Sequence, residues 1–243
     1  MIREHLTGVI PGERDFRWRG GEITRLEGFS DAVFAFAVTL LVVSLEVPKT
    51  FHELMDAMRG FAAFGVCFAL LADVWFNHYR FFRRYGLQTT WAVFLNCVLL
   101  FFVLFYVYPL KFLFADVLTG GGGIQAHDAR TLFVIYGAGY AAVFVVLALL
   151  YVHAWRNREA LALNGLERLI TRHSAIDHIA MAIVGLSSAA LAVSLPVRWV
   201  GVAGYFYFVI GVYFTVAGSI FGRRKRRLAE GVSGASSAGE PSG

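Results

Sequence analysis

The stretch Phe29-Ser30-Asp31-Ala32-Val33-Phe34-Ala35-Phe36-Ala37-Val38-Thr39-Leu40-Leu41-Val42-Val43, running on to Val47 and stopped by Pro48, decides how the rest of the chain is read. It is too long and too apolar for a surface helix. A run of about 20 such residues crosses ~30 Å of hydrocarbon as a helix. Five further runs follow, at roughly 60–79, 91–110, 131–153, 176–195 and 199–221. A Gly120–Gly123 loop and a Pro196-Val197-Arg198 turn separate the later ones. Lipid offers the backbone no hydrogen-bond partner, so each run is expected to be helical. The ten-residue alternation of a membrane barrel is absent. The fold class is therefore an all-α integral membrane protein with six transmembrane helices per subunit.

Composition agrees. Of 243 residues, 58% are hydrophobic and 16% charged, against roughly 25% charged in a soluble domain. The net charge of +5 follows membrane topology rather than nucleic-acid recognition. Seventeen of the 22 Lys and Arg fall on one side if both termini are cytoplasmic. The largest group is Arg223-Arg224-Lys225-Arg226-Arg227, read as a stop-transfer anchor facing anionic lipid rather than as a nucleic-acid patch. Residues 1–20 hold four arginines and no apolar core, so the first helix is expected to act as its own insertion signal. The chain thus divides into a cytoplasmic N-terminal segment (1–24), a six-helix transmembrane domain (25–222) and a basic, then disordered, cytoplasmic tail (223–243). Cys67 and Cys97 lie inside spans, with neither a disulfide framework nor a metal spacing.

Polar residues inside a membrane are costly, so they are the first candidates for function. Along the first helix, Ala32, Phe36, Thr39 and Val43 form one stripe at ~100° per residue. From periodicity alone this stripe is a packing seam or a pore face, packing being the commoner use of small residues. On the second helix, Asp73, Asn77 and Arg80 share a face and His78 is offset from it. They suit a structural network or a proton relay, and buried charges are usually paired for structure. Asn96 and Pro109 on the third helix suggest an interhelical hydrogen bond and a kink. His173 and Asp177 are four apart, a metal-compatible spacing without a third ligand, and read as capping at the start of the fifth helix. Gly137-Ala138-Gly139-Tyr140 and Ala203-Gly204-Tyr205 lie in or beside spans and read as close-packing sites, not carbonyl filters.

The opening Arg25-Leu26-Glu27-Gly28-Phe29-Ser30-Asp31, with Thr39 eight residues after the Asp and Pro48 after the helix, resembles the first helix of the transmembrane protein 175 family, the endolysosomal-type potassium channels and their prokaryotic relatives. Trp75, Asn77, His78 and Arg80 resemble the family's Trp-x-Asn-His-x-Arg stretch, and Asn96 and Pro109 fall where its third helix places them. The resemblance covers the first three helices.

It implies a homotetramer around four copies of the first helix, without a voltage sensor or carbonyl filter. The constriction would be an apolar ring five residues after the motif Asp, here Phe36, followed by Thr39 and a further ring near Val43. An apolar ring passes only ions that shed part of their hydration shell, which favours potassium over the more tightly hydrated sodium. Arg25, Ser30, Asp31, Trp75 and His78 would form a polar network fixing the first helix against its neighbours. The implied partners are potassium, the bilayer and further copies of the chain, in a prokaryotic plasma membrane, with no cofactor, no resident metal and no nucleic acid. Two residues depart from the pattern: Phe36 replaces the usual Ile or Leu, and Asp73 is an added acid.

The alternative is a proton-coupled transporter or proton-permeable channel using Asp73, Asp31 and His78. Internal repeats and broken helices, the usual signs of a transporter, are missing. Nor is there a nucleophile–base pair to suggest an enzyme.

Overall fold

The computed structural model describes residue 13, residues 15–43, 49–119 and 126–237. Six long helices carry the fold: α1 (Arg25–Val43), α2 (Phe51–Tyr85), α3 (Thr90–Thr119), α4 (Ala126–Arg156), α5 (Gly165–Ser194) and α6 (Val209–Ser237). Short turns at Val197–Trp199, Val202–Tyr205 and Phe206–Phe208 lead into α6. Among the described residues, five segments are long and apolar enough to span a membrane: Phe61–Tyr85, Thr90–Phe112, Asp128–Arg156, Gly165–Ser194 and Val202–Arg223. The sixth expected span, α1, opens with Arg25, Glu27 and Asp31, which crowd charge into its first two turns. Its 19 residues still reach ~28 Å.

Three helices begin or end away from the expected boundaries. The helix α2 starts at Phe51 rather than near 60, because the intervening stretch contains helix formers and no breaker. The start of α5 is at Gly165 rather than 176. Asn164 accepts from the Glu167 amide at 2.8 Å, and Glu167 accepts from the Asn164 amide at 3.0 Å, a reciprocal cap that marks the true N-terminus. His173 and Asp177 therefore sit mid-helix and cap nothing. The helical backbone of α6 continues through Ser237, beyond the expected span end and into the tail read as disordered; Arg, Lys, Leu, Ala and Glu sustain a helix once it has started. The Gly120–Gly123 loop and the tail beyond 237 lie outside the described residues.

Packing is most extensive between α4 and α5. There, a Cβ built on Gly137 would stand 2.6 Å from the Gly185 carbonyl oxygen, so the two backbones cross in direct contact. On the other flank α3 joins α4, and α2 joins α3. The first helix lies on α3 and α2, while α6 packs along α5. The core runs through Phe81, Leu99, Leu147, Leu150 and Tyr151, all nearly inaccessible.

The segment before α1 is folded onto the bundle. Glu13 pairs with Arg80 at 3.0 Å and Arg84 at 3.1 Å and accepts from Trp18 Nε1 at 2.7 Å. Arg19 donates twice to Glu167, at 2.7 and 3.1 Å, and to the Leu161 carbonyl. The Arg17 amide adds a further bond to Glu167, which is thus satisfied although buried. Gly86, at φ 59°, turns the chain out of α2 beside the Arg19–Gly20 backbone, a conformation that favours glycine.

Candidate functional site

The first helix separates cleanly into two faces. Glu27, Ser30, Phe34, Ala37 and Leu41 are buried and recur every three or four residues. Phe29, Asp31, Ala32, Ala35, Phe36, Thr39 and Val42 are exposed on the opposite side. Phe36 keeps 56% of its surface. Phe36 and Thr39 therefore turn away from the subunit's own core. The side chain of Val43 lies outside the described residues.

Polar contacts fix which face is which. Thr24 and Glu27 form a reciprocal cap: the Thr24 amide and hydroxyl donate to Glu27 Oε2 at 2.9 Å, and the Glu27 amide donates to Thr24 Oγ1 at 3.2 Å. Midway, Asn96 of α3 is a buried hub. Its Nδ2 donates to Ser30 Oγ at 3.0 Å, and Ser30 donates to the Leu26 carbonyl at 2.8 Å. His78 of α2 lies 2.7 Å from Asn96 Oδ1 through Nε2, which as N–H makes the bond. These three residues are at most 1% exposed. At the far end, Lys111 of α3 donates to the Leu41 carbonyl at 2.6 Å, satisfying a helix-terminal acceptor. Three helices are thus held to α1 or to one another through hydrogen bonds that close only at one rotation.

The five residues expected to form a single network divide into two. Ser30 and His78 meet through Asn96, a residue the sequence suggests for an interhelical bond but not for the site. Asp31 instead accepts from Trp75 Nε1 at 2.8 Å on the open face. Arg25 is exposed, and no bond or ion pair joins it to Asp31 or His78 among the described residues. Within one subunit the expected pairing of Arg25 with Asp31 is not made: six residues at ~100° each leave the two side chains ~120° apart on the helix. Trp75 stacks on Tyr79 at 5.7 Å, and the His78 ring lies 4.7 Å from Phe82.

Asp73 belongs to neither group. Asn77 donates to its backbone carbonyl at 2.9 Å. Its side chain borders a cavity of about 60 Å³ between α2, α3 and α4, beside Tyr106 and Tyr140. That volume holds about two water molecules. Arg80, on the same face in sequence, reaches Glu13 instead. Glu13 and Glu167 escaped the sequence reading, although the Asn164-x-x-Glu167 capping pattern was a usable sign of the second.

Between α1 and α2 the open face carries an apolar groove of about 350 Å³, bordered by Asp31, Ala35, Val38, Phe68, Ala72 and Trp75. Among the described residues, no group of three His, Cys, Asp or Glu is placed to hold a metal.

Residues 25–106 match the family model described as endosomal/lysosomal potassium channel TMEM175. A protein of Marivirga tractuosa described as a potassium channel is 38% identical over 93% of this chain and 98% of its own length. One from Chamaesiphon minutus, also described as a potassium channel, is 30% identical over 80% of this chain and 94% of its own. Among solved structures, a variant of the potassium channel MtTMEM175, crystallised with a nanobody–MBP fusion, superimposes with a TM-score of 0.77 at 36% identity, over 86% of this chain and 98% of that one. A lysosomal potassium-selective channel TMEM175 homologue from Chamaesiphon minutus gives 0.52 at 25% identity, over 83% and 96%. The buried Ser30–Asn96–His78 link and the exposed Phe36–Thr39 face both fall within the matched residues, and the similarity extends over nearly the whole chain: it belongs to the TMEM175 family.

Proposed function

We propose that the chain is a potassium-selective, leak-type channel subunit in which four copies of α1 surround the conduction path. The observation that carries this reading is the orientation of α1. Phe36 and Thr39 are exposed on a helix whose rotation is held by buried polar bonds on its other side. An outward apolar and hydroxyl face, held at one rotation, is what a symmetric assembly needs to turn one residue per chain into a ring. The groove between α1 and α2 is apolar and large enough to take side chains of a neighbouring copy's helix.

In that assembly Phe36 forms the narrowest ring and excludes fully hydrated ions. Thr39 donates its hydroxyl proton to the Ala35 carbonyl at 2.9 Å, which leaves its oxygen lone pairs free to replace water around a cation. Potassium sheds water more readily than sodium, so it is the favoured ion. A third ring at Val43 completes the constriction. The termini face the cytoplasm of a prokaryotic cell, which puts the positively charged ends of the helices inside.

Names of the relatives add to the reading, since those proteins are described as potassium channels. The proton-coupled alternative loses ground because its three residues sit in three environments: Asp31 bonds Trp75, His78 bonds Asn96, and Asp73 borders a separate cavity.

Purified protein in liposomes should pass potassium down its gradient without a pH gradient. Thr39→Val is expected to lower the potassium-to-sodium ratio, and Phe36→Ala to raise total flux. Saturable flux that needs a pH gradient and disappears in Asp73→Asn would replace this reading with the transporter.

A further inference from the structure

We infer that the groove between α5 and α6 is a binding site for an anionic phospholipid of the leaflet at the basic end of the helices. The groove encloses about 240 Å³ and has two distinct ends. Its lower walls are aliphatic and open to the bilayer: Ile176 and Ile220 each keep nearly half their surface exposed, and Ala217 supplies the floor. Its mouth carries Arg172 and His173, with the Phe221 ring tilted against the His173 ring at 4.1 Å. Arg223, within α6 and two residues past Phe221, begins the basic run.

The guanidinium at the mouth has no internal partner among the described residues. Arg172 is exposed and makes no hydrogen bond or ion pair among the described residues. The acid nearby is already engaged: Asp177 accepts from Tyr213 at 2.9 Å and lies 3.4 Å from His173 Nδ1. A guanidinium above an apolar slot at helix ends matches a phosphate ester above an acyl chain, the chemistry of basic pockets between membrane helices. A second copy of the chain fits less well. It would have to bring an acid to this end, where Lys and Arg outnumber Asp and Glu. The inference does not depend on conduction.

The test uses the full-length chain in nanodiscs of equal phosphatidylglycerol and phosphatidylcholine, with retained lipid measured by native mass spectrometry. Wild type should retain phosphatidylglycerol over phosphatidylcholine, and Arg172→Gln should cut that preference about fivefold, the effect of one basic residue at a charged surface. Arg172→Lys should keep it. Ala217→Trp, which fills the slot, should abolish retention of either lipid there, and Arg198→Gln at the opposite end should change nothing. Both Arg172 variants alter an exposed side chain, so they decide the matter even if Ala217→Trp fails to fold. Equal retention of the two lipids by wild type, an Arg172→Gln protein that keeps the preference, or disulfide formation between subunits through Ala217→Cys would overturn the assignment.

Discussion

The first three helices and the last three are held together by different means. The helices α4 and α5 meet through glycine: backbone presses on backbone at Gly137 and Gly185. The helices α1, α2 and α3 meet through a buried serine, asparagine and histidine, with Lys111 closing the end of α1. In a bilayer the lipid is as apolar as a neighbouring helix, so apolar contact alone distinguishes poorly between rotations of a helix about its axis. Close glycine packing sets distance, whereas directed hydrogen bonds set rotation. Rotation is what a pore-lining helix has to control, because a ring forms only if the same side chain faces the axis in every copy. The bonds that hold α1 are of the second kind, which suits the pore-lining role proposed for it.

The largest expected effect strikes the polar side of this contrast. Asn96→Leu leaves the buried His78 ring without its partner, at about 1–3 kcal/mol, while Ser30 keeps its bond to the Leu26 carbonyl. Potassium flux should fall by more than the loss of folded protein accounts for, as read by thermal unfolding alongside flux in liposomes. If flux and folded fraction fall together, rotation is not what Asn96 controls.

Next comes the glycine side. Gly185→Val places a side chain where a Cβ alone would be 2.8 Å from the Gly137 carbonyl oxygen, forcing α4 and α5 apart. Overpacking of this kind costs about 1–3 kcal/mol. The unfolding temperature should drop while the potassium-to-sodium ratio of the surviving protein stays unchanged. A changed ratio would erase the distinction between the two halves.

Glu167→Gln should be milder. It weakens the charge-assisted bonds from Arg19 and keeps the cap on α5, at about 1–2 kcal/mol. Protease cleavage ahead of α1 should become faster, with little change in flux. The smallest effect is expected from Trp75→Phe, which removes one hydrogen bond to Asp31 on an open face, about 1 kcal/mol or less. Its readout is the tetramer-to-monomer ratio in detergent, since that face borders the groove between α1 and α2.

Much of this was legible in the sequence, unevenly. Apolar runs of membrane length revealed the helical architecture because hydrocarbon thickness imposes a length that composition displays directly. The Arg25-x-x-x-Phe29-Ser30-Asp31 opening and the Trp75–Arg80 stretch pointed to the family. Helix ends were read less well. The extra turns of α2 and α5 are polar, so hydropathy ends where the backbone does not, and only the Asn164-x-x-Glu167 cap betrayed the earlier start. Within the site, residue types were legible and pairings were not. Asp31 and His78 were both suspected, but a partner 18 residues beyond His78, the neutral Asn96, carries the link. The resemblance implied a network joining Arg25 to Asp31; within the subunit the two lie on different faces of the helix, and the Trp75 indole bonds Asp31.

The account stands most directly on cysteine chemistry at Thr39. In a background with Cys67→Ala and Cys97→Ala, Thr39→Cys protein in liposomes should lose potassium flux on exposure to a small, charged, membrane-impermeant thiol reagent, and potassium should slow that reaction by occupying the same path. Flux that persists while a lipid-soluble maleimide labels the thiol fully would put Thr39 in the bilayer, and the ring of first helices would be gone.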